Sequence, residues 1–324
     1  MHEFKIGKND CGQRLDKFLS KAADMPASLL YKAIRKKKIK LNRKRCEGSD
    51  ILSEGDTVQC FLPEELFSKD RGSSAELSRI TPSLSVIYED SNILLVNKRP
   101  GVSVHEDEDG ASDTLIMNIK AYLYGKGEYD PEAEQSFAPA LCNRIDRNTG
   151  GIVIAAKNAE ALRVMNDKIR KREIDKFYLC AVHGVPSPAR ATLRAYLVKD
   201  ENSKTVRVFD RDPPRGAKEI RTRYRVLAER GGLSLLEVEL LTGRTHQIRA
   251  HMAHIGHPLL GDGKYGSNRE DRRRGFAHQA LCSYKIRFSF DKSESTVLDY
   301  LSGKEFTIPS GEIYFLSEFP GYKL

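Results

Sequence analysis

The feature that most constrains this chain is a sudden change of character near its middle. Residues 143–151, "NRIDRNTGG", are mostly polar and end in Gly-Gly, and "IVIAAK" follows at once. A short apolar run bounded by turn residues reads as a buried strand. Such a strand needs neighbours and covering layers, so the chain must build a packed sheet around it. Arg144, Asp146 and Arg147 stand just before the strand, and Asn148-Thr149-Gly150-Gly151 reads as the turn leading in. These charges allow two readings. Asp146 either caps the turn and pairs with a neighbouring arginine, or it sits at a sheet edge to do chemistry.

The flanking patterns suit such a sheet. "SLSVIYEDSNILLVNKRPG" reads as two strands about a turn at Glu89–Asn92, closed by Pro100-Gly101. A helix is predicted from Ala159 to Arg172, with Asn158 as N-cap and Leu162, Met165 and Ile169 inward. "KFYLCAVHG" is a strand, and "EIRTRYRVL" is half-buried, with Ile220, Thr222, Tyr224 and Val226 facing in. Gly231-Gly232 turns the chain into "LSLLEVELLT". "RTHQIRAHMAHIGHP" is helical, with Ile248, Met252 and Ile255 on one face. The expectation is an α+β domain over 81–324, built on a mixed, mostly antiparallel sheet with flanking helices.

At 324 residues and 40% hydrophobic, the chain has room for a further domain. No 18-residue apolar run exists, so no membrane span is expected. "MHEFKIGKND" has no apolar signal core, so the expected location is the cytoplasm. The six cysteines are scattered without a C-x-x-C pair and read as reduced core residues rather than zinc ligands.

The formal charge of +9 matters because it is clustered. No acid occurs between Asp24 and Glu47, and residues 30–45 hold nine cations: Lys32, Arg35, Lys36, Lys37, Lys38, Lys40, Arg43, Lys44 and Arg45. A charge run alone is usually a solvated face. Here the cations are threaded through apolar positions. Leu15, Phe18, Leu19 and Ala22 form one helical stripe, and a second helix fits 28–37 with Leu30, Ala33 and Ile34 inward. "IKLN" and "DTVQCFL" then read as strands. A folded basic surface is the electrostatic footprint of a nucleic-acid binder. The run "RLDKFLSKAADMPASLLYKAIRKKKIKLNRKR" with the later "LSEGDTV" resembles the alpha-L motif, the small RNA-binding fold of ribosomal protein S-four. The expected organisation is this module over 1–65, a Gly/Ser-rich linker over 66–80, and the sheet domain after it.

Several candidate sites carry little chemistry. His246, His251, His254 and His257 fall within 12 residues, but no acid lies among them and no H-E-x-x-H occurs. Hydrogen-bonded or RNA-facing histidines are expected, and no metal. "GDGKYG", 261–266, lacks the rest of a phosphate loop and reads as a tight turn. No G-x-S-x-G supports acyl transfer. Three polar stretches remain: "NRIDRNTGG", "KFYLCAVHG" with Tyr178, and "TGRTHQIRAHM" with Arg244 and Arg249. Tyr178 could be a core residue and Arg249 a surface charge.

Taken in order, these stretches look like the RluA family of RNA pseudouridine synthases. They resemble its H-R-L-D-x-x-T-S-G, its K-x-Y-x-A-x-V-x-G, and its long T-G-R-[ST]-H-Q motif, which "LTGRTHQIRAHMAHIGHPLLGDGKYG" follows almost throughout. Asn143 stands where the family has His, Ile145 where it has Leu, and Gly150 where it has Ser. The resemblance implies isomerisation of uridine to pseudouridine in RNA, with no cofactor and no redox change. Large-subunit ribosomal RNA is the expected substrate, because an alpha-L leader goes with that branch; transfer RNA is the alternative, as is a non-catalytic RNA binder. The protein is expected to act as a monomer. The resemblance makes Asp146 the nucleophile and Arg144 the residue that holds the flipped-out arrangement. Arg249 would pair with Asp146 and orient it. Tyr178 would pack on the base and serve the proton step at carbon 5. Three roles stay open for the aspartate: attack on the sugar, attack on the ring, or removal of a sugar proton.

Overall fold

The computed structural model describes residues 1–67, 73–105, 113–200, 205–291 and 295–323. The N-terminal module is a four-stranded sheet in the order β1-β4-β2-β3, with β1 at His2–Lys5, β2 at Ile39–Leu41, β3 at Lys44–Arg45 and β4 at Thr57–Cys60. Two helices pack on it, α1 (Leu15–Ala22) and α2 (Ala27–Arg35). Leu15, Phe18, Leu19 and Ala22 are fully buried, as their i, i+3, i+4, i+7 spacing predicts. Leu30, Ala33 and Ile34 bury the inner face of α2. Each fully buried leucine or phenylalanine contributes roughly 1.5–3 kcal/mol. Asp16 is buried at the start of α1, where it accepts from Arg14 Nη2 at 2.7 Å and from the Tyr31 hydroxyl at 2.8 Å. That contact ties the two helices together.

The stretch 66–80, expected as a linker, carries local structure at both ends. Leu66 and Phe67 pack on the module's core. A short helix, α3 (Ser74–Ser78), forms because Ser73 caps it through Glu76 N and Leu77 is buried against the second domain. Residues 68–72 of that stretch lie outside the described residues.

The larger sheet has eleven strands among the described residues. They are β5 (Val86–Glu89), β6 (Ile93–Lys98), β7 (Ala140–Leu141), β8 (Gly150–Ala156), β9 (Ile174–His183), β10 (Arg190–Asp200), β11 (Thr205–Phe209), β12 (Lys218–Arg230), β13 (Leu233–Leu240), β14 (Leu281–Phe288) and β15 (Glu305–Thr307). The main order is β11-β10-β12-β13-β9-β14-β8-β6-β5. The sheet is mixed and mostly antiparallel, with β8 and β14 pairing in parallel. Strand β8 lies deep in the sheet and is buried at all seven positions. Its alternate residues feed two cores, Ile152 and Ile154 on one face and Val153 and Ala155 on the other. The longer helices covering the sheet are α4 (Leu115–Gly125), α5 (Ala159–Arg170) and α6 (Gln247–His254). Asn158 caps α5 through Ala161 N at 2.8 Å.

The module and the sheet domain touch through residues 134–136, part of a stretch that its Gly, Pro and acidic residues mark as an exposed loop. Gln135 donates to Lys5 O at 2.7 Å, the Ser136 hydroxyl to Asp10 at 2.6 Å, and Asn9 to Glu134 at 2.6 Å. Among the described residues no helix is long and apolar enough to cross a membrane.

Candidate active site

The polar stretch becomes an extended segment entering β8, and its shape is fixed from behind. The Asn143 side chain is buried, accepting from Ile154 N at 2.7 Å and donating to Ile152 O. The position that departs from the family motif thus braces the segment against the strand it precedes. Thr149 is buried and accepts from Gln279 at 3.1 Å. Gly151 has φ of 122°, and a Cβ there would lie 2.4 Å from Ser283 N. Only glycine fits this crossing of β8 and β14. Beneath the turn, Lys98 is 1% exposed and donates to the carbonyls of Arg99, Val102 and Arg147. Burial pushes its ammonium down to about 8. Lys98 was not singled out from the sequence, since only the fold brings those carbonyls to it.

With its frame fixed, the segment presents Arg144 and Asp146 on one side and buries Ile145 between them. Both line an open cleft of about 1000 Å³, together with Tyr178 from β9 and Arg249 from α6. The sequence therefore named four residues that the fold gathers. Arg249 Nη1 donates to Asp146 Oδ2 at 2.9 Å. Its remaining edge is held by a residue the sequence reading passed over. Nε and Nη2 donate to the two carboxylate oxygens of Asp262 at 2.7 and 2.8 Å. Asp262 belongs to "GDGKYG", which is a turn as expected, but one that folds back onto α6. Its buried carboxylate also accepts from Lys264 N and Tyr265 N. Burial works against both charges. The hydrogen bonds to Arg249 overcome it and hold Asp262 below the usual carboxylate range, and the two carboxylates raise Arg249 in return. One oriented guanidinium thus spans a buried anchor and a cleft-facing carboxylate.

Around this pair the surroundings are partly apolar. Tyr178 is 6% exposed and packs with Val238, Ile248 and Leu281, and burial pushes its hydroxyl up to about 12. His246 Nε2 lies 3.8 Å from Asp146 Oδ2, and its Nδ1 faces the Tyr265 hydroxyl at 2.8 Å. Burial holds this imidazole below its ordinary value, with Asp146 opposing the shift. The other three histidines of the cluster take separate partners: His251 meets Thr222, His254 meets Asp210, and His257 meets the carbonyl of His183. Among the described residues no group of three or more His, Cys, Asp or Glu could hold a metal ion. Arg147 lies outside the cleft lining and its Nε donates to Gly101 O at 3.1 Å. The nine cations of the module behave differently from the cleft charges. Eight are exposed, Lys40 is half-buried over Phe61, and none makes an ion pair among the described residues.

A family model described as RNA pseudouridylate synthase matches residues 92–254. A ribosomal large subunit pseudouridine synthase C from Vibrio vulnificus (strain CMCP6) is 32% identical over 314 residues, spanning 95% of this chain and 92% of the relative. A protein of the same description from Salmonella typhi is 30% identical over 322 residues, covering 92% and 96%. In fold, the chain resembles human RNA pseudouridylate synthase domain containing 4, with a TM-score of 0.55, 20% identity and coverage of 76% and 94%. Human RNA pseudouridylate synthase domain containing 1 gives a TM-score of 0.53 at 21% identity, covering 76% and 100%.

Proposed function

Because the chain belongs to the RNA pseudouridylate synthase family, we propose that it isomerises uridines of large-subunit ribosomal RNA to pseudouridine, with Asp146 as the nucleophile. The observation carrying this reading is the Asp146–Arg249–Asp262 arrangement. It puts one carboxylate at the cleft, oriented by a guanidinium that is itself anchored from behind. The reaction breaks the bond between the sugar and ring nitrogen 1 and forms one between the sugar and carbon 5. Nitrogen 1 gains a proton and carbon 5 loses one, so nothing is oxidised and no group leaves.

A stacked uridine cannot reach Asp146, so it must flip out, at a cost of a few kcal/mol. Arg144 is exposed at the mouth of the cleft, two residues from Asp146, and would hold the flipped-out arrangement. The Tyr178 ring would pack on the detached base. Burial keeps its hydroxyl protonated at neutral pH, so it would take up the proton that carbon 5 loses only as a relay, passing its own proton on. The apolar wall of Tyr178, Ile248 and Leu281 would limit water at a glycosyl intermediate.

Choosing ribosomal over transfer RNA rests on the relatives, which are ribosomal large subunit pseudouridine synthases, and on the basic module. Residues 1–65 would act as an alpha-L RNA-binding unit, with α2 and the Lys36–Arg45 stretch against phosphates. The protein would work as a monomer. Tritium release from carbon-5-labelled uridine in unmodified large-subunit ribosomal RNA tests the reading. Release that survives a chelator, with the RNA left uncut, is expected. Chelator-sensitive strand cleavage, or binding without release, would reject it.

A further inference from the structure

The outer face of the larger sheet carries cationic side chains that the cleft chemistry does not use. On β12, Arg221, Arg223 and Arg225 point out, while Thr222 and Tyr224 point in. Arg190, Thr192 and Arg194 on β10 lie opposite Arg225, Arg223 and Arg221. The row through Arg223 continues across Glu239 to Phe177 and then to Lys285. Lys285 Nζ sits 4.6 Å and Arg287 Cζ 5.5 Å from the Phe177 ring centroid.

Acids share this lattice: Glu219 pairs with Arg194 at 3.0 Å and Asp175 with Arg287 at 2.9 Å, each less exposed than its arginine, and Glu237 and Glu239 do not cancel the charge outwardly. Glu237 and Glu239 side chains are 12% and 20% exposed, while their partners Arg225 and Arg223 are 61% and 54% exposed. The carboxylates therefore lie below the guanidiniums and leave donors facing solvent. Arg190 and Arg221 make no ion pair among the described residues. Between the strands is a hollow of about 280 Å³ with Phe177, Ala191 and Tyr224 in its lining and Arg190, Arg223 and Arg225 around it. Arg223 and Glu239 line this hollow and the catalytic cleft alike, so the two are continuous.

We propose that this sheet face is a second RNA subsite, holding an unpaired nucleotide that flanks the target uridine. The base would rest in the hollow against Phe177, and its phosphates would lie on Arg190, Arg194 and Arg225. An aromatic floor with a cationic rim is how single strands are bound without sequence readout. Continuity with the cleft selects RNA as the occupant, which rests on the isomerase reading. The subsite gives the strand a path beyond the module's basic stretch.

The test compares the wild type with the exposed-site variant Arg190→Glu/Arg194→Glu on in vitro transcribed large-subunit ribosomal RNA. Tritium release is expected to show KM raised roughly tenfold with kcat unchanged, because phosphate contacts add to binding and not to chemistry. In parallel, 4-thiouridine-substituted RNA is photocrosslinked to the wild type, and adducts localised by fragmentation to the Phe177 or Arg225 side chain itself are expected. An unchanged KM, or crosslinks confined to the cleft and the module, would overturn the subsite. Absence of release by the wild type would instead reject the isomerase, while the crosslinks still judge the subsite.

Discussion

The cleft and the N-terminal module are both rich in charge, yet they use it in opposite ways. In the cleft, Arg249 is nearly buried and fully committed, with three of its nitrogens on two carboxylates drawn from distant parts of the chain. In the module, nine cations come from one continuous stretch, mostly in water and without ion-pair partners among the described residues. The first arrangement fixes geometry, and losing one member strands another. The second supplies a field, to which each member adds a small and similar share. Desolvated charge is suited to chemistry at one atom, and solvated charge to attraction over a surface.

The contrast can be broken most forcefully at Arg249. Arg249→Met leaves the fully buried Asp262 carboxylate without its partner and should cost about 3–5 kcal/mol of stability. It should also lower tritium release by ~10²–10³-fold where the protein remains folded. Thermal unfolding and release assays on the same preparation check both. Gly151→Ala tests the backbone behind the site. Its Cβ would meet Ser283 N at 2.4 Å, so a loss of about 3 kcal/mol is expected in denaturant titrations.

His251 sharpens the comparison through pH. It sits on α6 two residues from Arg249 and bonds Thr222. Burial, then nearby His254, lowers its pKa to about 4, with Asp210 opposing. The unfolded chain therefore takes up a proton near pH 6.5 that the folded chain refuses. Stability from this group is fully present above pH 6.5 and is lost as pH falls toward 4, by about 3 kcal/mol in all. His251→Gln should flatten that part of the stability profile. The smallest effect belongs to the module. Lys36→Ala should leave stability within about 0.5 kcal/mol and reduce the salt slope of RNA binding by about 1. Filter binding over a salt series reads it. A large stability loss from Lys36→Ala would erase the distinction between the two regions.

What was legible in the sequence follows the same divide. Periodic apolar residues announced α1, α2, β8 and α5, because each buries one regular face or a whole short strand. The "LIMNIKAYLYG" run of α4 carries apolar residues nearly all round, so its helical period is faint. Strand β10 alternates Arg190, Thr192 and Arg194 with Ala191, Leu193, Ala195 and Leu197, a period-two pattern that was present in the sequence but not read from it. Asp146, Tyr178 and Arg249 were reached through the order of three motifs, since no local pattern joins residues 103 apart. Asp262 was hidden in a turn whose glycines explain the bend but say nothing of what the carboxylate reaches.

The most direct measurement sets Asp146→Asn beside a module variant with Arg35, Lys36, Lys38 and Arg43 changed to Ala. For each, RNA affinity and the single-turnover rate of tritium release at saturating RNA are measured together. The account expects Asp146→Asn to bind RNA as the wild type does and to release no tritium. It expects the module variant to bind more weakly and to release tritium at the wild-type rate once saturated. Release by Asp146→Asn near the wild-type rate, or a module variant that binds normally but cannot turn over, would contradict it.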